Sequence, residues 1–411
     1  VNAADASLLN LQEEDETPSP EEPPLPAAWG ASPGAPVLRA AAKARGLCQK
    51  FSREKIREVH DSDAFDIVFP GSAQGALRQC KEALVTLVEA RAREAAALAK
   101  GGPFPAKISD FFRMALSDGV LLGKPEQGSF TPGIVHIRAR EALPGGKLLG
   151  VVFGVRIVGG SDDVLALFER QGEGIQLAMV VANHGYESIQ HGFLALDFEA
   201  RPVGDRYHVM TVHSSPWISS AWRGAHFQIF APGPSPQRPV RLLEEYNSAR
   251  IGEVGGWIQA KDDGFQAQFS SWTSISGISG DVVRTHVHGF RFEQGAYRRV
   301  APLTAHPWEL PDEWLRMSWP EASLLVPAEA RARLASVHEQ LREDLKASRL
   351  IGPVWVKRDP GEVRVRLASA PGSPGARFVV DLSGKEPSIR EAVRIPPLAA
   401  PGAPSGLPSA P

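Results

Sequence analysis

The chain has 411 residues, 43% hydrophobic and 22% charged, with 39 Gly, 35 Pro and a formal net charge of -2. That is enough apolar material for a large core and for more than one domain. It contains no run of the roughly 18 or more uncharged apolar residues that a membrane helix needs, so no transmembrane segment is expected. Its balanced charge lacks the broad basic field of non-specific nucleic-acid binding.

Residues 1–35 carry seven acidic side chains and no basic one, with a Pro-rich stretch from Thr17 to Pro26. Such a segment buries too little apolar surface to offset the entropy of ordering, so a disordered acidic leader is expected. The remainder of the chain then sums to +5. The chain begins at Val1, which fits an excised signal peptide or a chain trimmed in another way; the first reading goes with an exported protein, periplasmic or secreted, which is the expectation here.

Residues 36–104 read as a helical subdomain. Ala41, Ala44, Cys48 and Phe51 share one helical face, and Leu77, Cys80, Leu84 and Leu87 share another, with Ser72 placed to cap the second helix. Between the helices Phe65 to Phe69 reads as a short strand ended by Pro70 and Gly71. A packing cap on the strands C-terminal to it is expected, with a partner-binding hairpin as the alternative. Cys48 and Cys80 are the only cysteines. Two readings stand for them, a pair of buried thiols or one disulfide between the helices, and the second fits an exported chain.

From residue 105 the chain becomes short strands separated by Gly, Pro and Asp turns. Phe168, Phe230 and Phe292 recur 62 residues apart, each in a short apolar strand followed by a turn at Gly172, Gly233 or Gly295 and then by another strand. A strand pair precedes each hairpin: Ile134–Arg140 with Leu148–Ile157, Phe193–Ala200 with Tyr207–His213, Trp257–Lys261 with Phe265–Trp272. Residues 105–319 are thus expected to form three four-stranded antiparallel units. Such a unit cannot bury both faces alone, and face-to-face stacking solves that in a propeller-like arrangement.

Residues 320–395 open with a helix that has Pro327 near its first turn and Leu334, Val337, Leu341 and Leu345 on one face. Four further strands come after it: Val354–Lys357, Val363–Ala368, Arg377–Leu382 and Ile389–Arg394. They form either a fourth unit behind an inserted helix or a small α+β domain. The run from Ile395 onward is uncharged and dominated by Pro, Ala, Gly and Ser, so residues 396–411 are expected to be a disordered tail. The fold class expected is therefore mainly β, with an N-terminal helical subdomain and an inserted C-terminal helix.

The stretch Gly295-Ala-Tyr-Arg-Arg-Val-Ala-Pro302, followed by His306-Pro-Trp-Glu-Leu-Pro-Asp-Glu-Trp-Leu315, resembles uncharacterised exported bacterial proteins of β-repeat type. In those a strand hairpin ends in an Arg-Val-x-Pro turn and an aromatic helix start comes next. The resemblance spans about residues 150–395. It implies export and β architecture, and it carries no assigned activity and no site residues.

The sequence has no G-x-S-x-G elbow, no phosphate-binding G-x-x-x-x-G-K-[ST] loop, no C-x-x-C and no H-E-x-x-H. The nearest approach to the last, His338-Glu339, has Arg342 where the second histidine belongs. His286 and His288 give the one metal-type pattern, because the strand period of two sets both imidazoles on one face about 7 Å apart. A third ligand is expected from His213, His226 or Asp281. The competing expectation is a solvated strand face shared with Arg284. No cofactor other than such an ion is expected.

Trp217, Trp222 and Arg223 fall in a Ser-rich stretch between two expected strands. Rings on such a loop can stack on a sugar or grip a peptide; the alternative is that they fill space between stacked sheets. Asp162-Asp163 and Asp262-Asp263 read as turn residues whose oxygens satisfy local backbone donors. The function expected is a binding or scaffold module that recognises a protein or carbohydrate through strand-connecting loops. A hydrolase, metal-dependent or carbohydrate-active, is the alternative.

Overall fold

The computed structural model describes residues 27–396, apart from residues 31, 55–56, 62–63, 69, 117–133, 158–159, 184–194, 217–221, 251–257, 275–280, 301–302, 305, 347–349, 370–374 and 385–386. Most of the expected leader, and all but the first residue of the expected tail, lie outside the described residues. One part of the leader is ordered: Trp29, in a short 3-10 turn at Ala27–Gly30, is buried edge-on against Phe111 at 5.1 Å. Burial of one indole offsets the cost of ordering the few residues around it.

Helix α1 (Ala35–Ser52) buries Val37, Ala41, Ala44, Cys48 and Phe51, a spacing of three and four that makes one continuous stripe. That stripe meets Leu77, Cys80, Leu84 and Leu87 of α2 (Gly71–Ala99). Of the two readings of the cysteines, the structure has the disulfide: Cys48 and Cys80 are joined, with Cα atoms 4.7 Å apart. Strands β1 (Arg57–Asp61) and β2 (Ala64–Val68) form a hairpin between the helices. Ser72 lies inside α2 rather than capping it and donates from Oγ to Glu54 Oε2 at 2.7 Å. Pro70 has no side-chain oxygen to offer, and the helix begins directly after it.

These helices, with α3 (Ile108–Leu116), form the cap of a stack. Unit I is the meander β3 (Ile134–Leu143), β4 (Leu148–Ile157), β5 (Gly160–Gln171) and β6 (Gly174–Ala182). In β4, Leu149, Val151, Phe153 and Val155 pack under the helices, while Leu148 and Val152 join a second core on the other side. Two covered faces explain why this strand is apolar almost throughout.

Unit II comprises β7 (Ala195–Val203), β8 (Arg206–Pro216), β9 (Trp222–Ser235) and β10 (Arg238–Arg250). Its Leu196, Phe198, Tyr207, Val209 and Phe230 fill the core shared with unit I. Gly150 of β4 is part of that contact: a Cβ there would lie 2.1 Å from Cζ of Phe198, so the ring rests directly on backbone.

Unit III comprises β11 (Ile258–Lys261), β12 (Gly264–Ser274), β13 (Asp281–Glu293) and β14 (Ala296–Arg299), with the two-residue β15 (Leu303–Thr304) added beside β13. Ile258, Phe265, Phe269, Phe290 and Tyr297 meet Met210, Val212, Phe227 and Ile229 of unit II. Units II and III also touch through backbone, at the single pair Arg250 and Ser270.

Unit IV comprises β16 (Leu350–Asp359), β17 (Glu362–Ser369), β18 (Gly375–Asp381) and β19 (Ser388–Ile395). It shares a separate core with α4 (Leu310–Arg316), α5 (Trp319–Ala322) and α6 (Arg331–Lys346), centred on fully buried Trp314. Leu310, Trp314 and Leu315, which by sequence stand at the end of the third repeat, belong to this core.

The molecule is mainly β, built from four four-stranded antiparallel meanders, and the sheets do not close on one another. The 62-residue recurrence has a packing cause. Phe168, Phe230 and Phe292 each lie on the third strand of a unit and face the preceding layer: the helical cap, unit I and unit II in turn. Phe378, on the third strand of unit IV, likewise meets Trp314 of the preceding helices, with ring centroids 6.1 Å apart.

Candidate functional site

Alternation along β13 turns His286, His288, Phe290 and Phe292 toward unit II. Both histidines are buried, 4% and 3% exposed, rather than set on a solvated face. Phe269 of β12 fixes their rings. It stacks on His286 with centroids 4.8 Å apart and planes 9° from parallel, and meets His288 edge-on at 4.9 Å.

The group that joins this pair is Glu313 of α4, 1% exposed. Glu313 Oε1 accepts a hydrogen bond from His286 Nδ1, and Oε2 lies 4.0 Å from His288 Nε2. On its other side His288 donates from Nδ1 to Glu245 Oε1 of β10 at 2.6 Å. A carboxylate only accepts, so Nδ1 carries the proton and the lone pair of a neutral ring is at Nε2, facing Glu313. Arg299 of β14 donates to Glu313 Oε2 at 3.0 Å, and its buried Nε has no hydrogen-bond partner among the described residues. One nitrogen from each histidine and one Glu313 oxygen lie within 4.8 Å of one another, the only such trio of His, Cys, Asp or Glu side chains among the described residues.

His213 and His226 lie elsewhere. They pair in register on β8 and β9, with ring centroids 6.4 Å apart. His226 Nε2 bonds Glu244 Oε1 at 2.8 Å. Glu244 and Glu245 are consecutive in β10 and leave opposite faces of the sheet, so the His213–His226 pair looks toward unit I and the His286–His288 pair meets unit II from the other side. His213 Nε2 is buried with no hydrogen-bond partner among the described residues. Burial first, and the neighbouring His226 second, hold its pKa down at about 4. Asp281, the remaining candidate ligand, opens β13 opposite Ser274.

The acidic pairs divide. Asp262 and Asp263 sit in the turn between β11 and β12, as their sequence context indicates. Asp162 and Asp163 do not: both are buried within β5. Asp162 faces the cap and takes a hydrogen bond from Lys81 Nζ at 2.7 Å; desolvation of that lysine lowers its pKa, against the pull of the carboxylate. Asp163 faces unit II and accepts from His136 Nε2 and Leu196 N, each at 3.0 Å. Gly154 makes room for this, because a Cβ there would fall 2.4 Å from the His136 ring. One buried ion pair to the cap and one backbone hydrogen bond to unit II thus override the turn preference of these adjacent acids.

Trp217 lies outside the described residues. Trp222 and Arg223 begin β9, opposite Arg250 and Ala249, so the ladder extends through residues whose Ser-Pro-Trp context reads as loop. Strand ends here are set by the neighbouring strand rather than by local turn residues. Sequence reasoning marks Glu244-Glu245 as an acidic pair without a partner for Glu245, and it missed Glu313, Arg299, Lys81 and His136. Nothing in the run from Glu309 to Leu315, with three acids in seven residues, singles out Glu313.

Grooves on the described surface include one of about 470 Å³ beside Ser109, Arg138, Arg140, Asp197 and Glu199, and one of about 390 Å³ between α2 and β6 beside Arg78, Lys81, Glu82, Val85, Leu177 and Val180. Neither is lined by a histidine. No protein-family model, curated protein or solved structure matches the chain.

Proposed function

We propose that the protein is a non-catalytic binding or scaffold module, built as a propeller-like succession of four-stranded units and exported to an oxidising compartment. One observation carries this reading. Asp162, Asp163, His288 and Glu313 are spent on buried contacts between layers and line neither groove, and Lys81, which does line the groove between α2 and β6, is committed through Nζ to Asp162. A catalytic group must meet its substrate, and these groups face other elements of the protein.

The ligand is a protein or a carbohydrate, met on strand-connecting segments and grooves. The Cys48–Cys80 disulfide supports the exported setting, because such bonds persist where thiols are oxidised. The resemblance to exported β-repeat proteins belongs to the same reading. No helix of the described residues is long and apolar enough to cross a membrane.

A metal-dependent hydrolase is the second reading, favoured by the His, His, Glu donor set. Panels of ester, phosphate, peptide and glycoside substrates discriminate the two, run beside peptide and glycan arrays. The expected result is saturable binding to an array member and no turnover above the uncatalysed rate. Turnover abolished by His288→Gln would establish the hydrolase instead.

A further inference from the structure

We infer that His286, His288 and Glu313 bind one divalent transition-metal ion, zinc by its ligand chemistry, as a buried staple between the β stack and the C-terminal core. Two imidazoles and one carboxylate are a zinc donor set. The inference goes beyond a binding or scaffold role and does not depend on it.

Three features of the geometry support it. The first is spacing: the donor atoms lie within 4.8 Å of one another, and His288 Nε2 stands 4.0 Å from Glu313 Oε2. That gap is too long for a hydrogen bond. Two ligands each about 2 Å from a tetrahedral ion are separated by about 3.4 Å, so admitting a metal moves His288 inward by less than one bond length and moves His286 Nδ1 and Glu313 Oε1, now hydrogen-bonded, apart.

The second is orientation. His288 gives its Nδ1 proton to Glu245 at 2.6 Å, which fixes the tautomer that presents Nε2 to the ion, the carboxylate–histidine arrangement found behind metal ligands. The stacked Phe269 holds both rings in place, so little side-chain freedom remains to be lost on binding.

The third is location. All three ligands are almost fully covered, so substrate has no path to the ion, and the fourth tetrahedral position falls to a water. The histidines belong to β13, whereas Glu313 is the residue before Trp314, the centre of the C-terminal core. Coordination thereby joins the two bodies of packing that α4 connects. Arg299 holds Glu313 Oε2 at 3.0 Å, so Oε1 is the oxygen left for the metal, and on binding the proton that His286 Nδ1 shares with Oε1 is released to solvent.

The test uses the full chain, purified without chelator and then stripped with EDTA. Zinc content by mass spectrometry is expected at about one ion per chain before stripping. Zinc added back is expected to bind at a stoichiometry of one and to raise the unfolding temperature, as any ligand of the folded state does. His286→Gln and His288→Gln should abolish both effects. His226→Gln, on the other face of unit II, should leave them intact. Glu245→Gln retains all three ligands and should weaken zinc binding about 10- to 100-fold, which decides the matter if the ligand variants fail to fold. Cobalt(II) in the same site should show the visible bands of a tetrahedral nitrogen and oxygen environment. Less than about a tenth of an ion per chain together with no thermal shift would overturn the proposal, as would binding that survives His288→Gln or is indifferent to Glu245→Gln.

Discussion

Asp162 and Asp163 are consecutive residues of one strand that serve opposite faces of its sheet: Asp162 holds Lys81 of the helical cap, and Asp163 holds His136 and the first residues of unit II. Glu244 and Glu245 also leave opposite faces of their sheet, but only Glu245 reaches another unit, at His288; Glu244 bonds His226 of the adjacent strand β9 on a partly exposed face. In a sheet covered on both faces, the adjacent acids Asp162 and Asp163 thus supply one anchor to each neighbouring layer.

The Lys81–Asp162 pair is almost wholly removed from water, with side chains 4% and 0% exposed. Removing one partner strands the other charge. Asp162→Ala is expected to cost about 3–5 kcal/mol in urea unfolding, and the double variant Lys81→Met, Asp162→Leu to recover most of it. A double variant as unstable as the single would show that the ion pair itself, rather than the penalty for breaking it, dominates.

The strands were legible in the sequence because each unit writes its own punctuation. Gly172 and Gly295 adopt positive φ at the hairpin turns, and apolar runs such as Leu148–Ile157 match a doubly covered strand residue for residue. What was not legible is which sheet face meets which layer. That choice sends His213 and His226 to one interface and His286 and His288 to another, although all four are strand histidines. Glu313 was hidden for the same reason, since a short helix reveals its partner only once it packs.

The disulfide closes a loop of 32 residues between α1 and α2. The chain-entropy model gives about 3–4 kcal/mol for a loop of that length. Cys48→Ala with Cys80→Ala, or reduction, is expected to lower the stability of the cap by that amount in a denaturant titration. Because the helices cover unit I, hydrogen exchange in β4 and β5 should quicken as well. A loss under about 1 kcal/mol would mean that the unfolded chain is already constrained there.

Gly150→Ala tests the contact between units I and II. The new methyl would lie 2.1 Å from Phe198 Cζ, so the ring or the sheet must shift, at a cost of about 1–3 kcal/mol. Phe198→Leu alone should also destabilise, but in the Gly150→Ala background it removes the clash. The two changes are therefore expected to be less than additive in a double-mutant cycle. Strict additivity would show that the ring does not rest on Gly150.

The acid limb of stability should carry a histidine signature. His208 and His213 are both held down at about 4 from an ordinary 6.5, chiefly by burial, with Arg201 adding to the effect on His208 and His226 to that on His213. Above pH 6.5 the rings are neutral in folded and unfolded chains alike, and their contribution to stability is complete. As pH falls from 6.5 toward 4, the unfolded chain takes up protons that the folded chain excludes, so stability declines. Burial lowers His338 in the same way, so three such groups set an upper slope of about 4 kcal/mol per pH unit. Glu362, whose carboxylate is held below its ordinary 4.5 by Arg364 and Arg390, acts only at still lower pH. Urea midpoints measured between pH 5 and 6.5 therefore isolate the histidines, and His208→Phe should flatten the profile there by about a third. A wild-type profile already flat across that interval would mean that all three rings protonate freely in the folded protein.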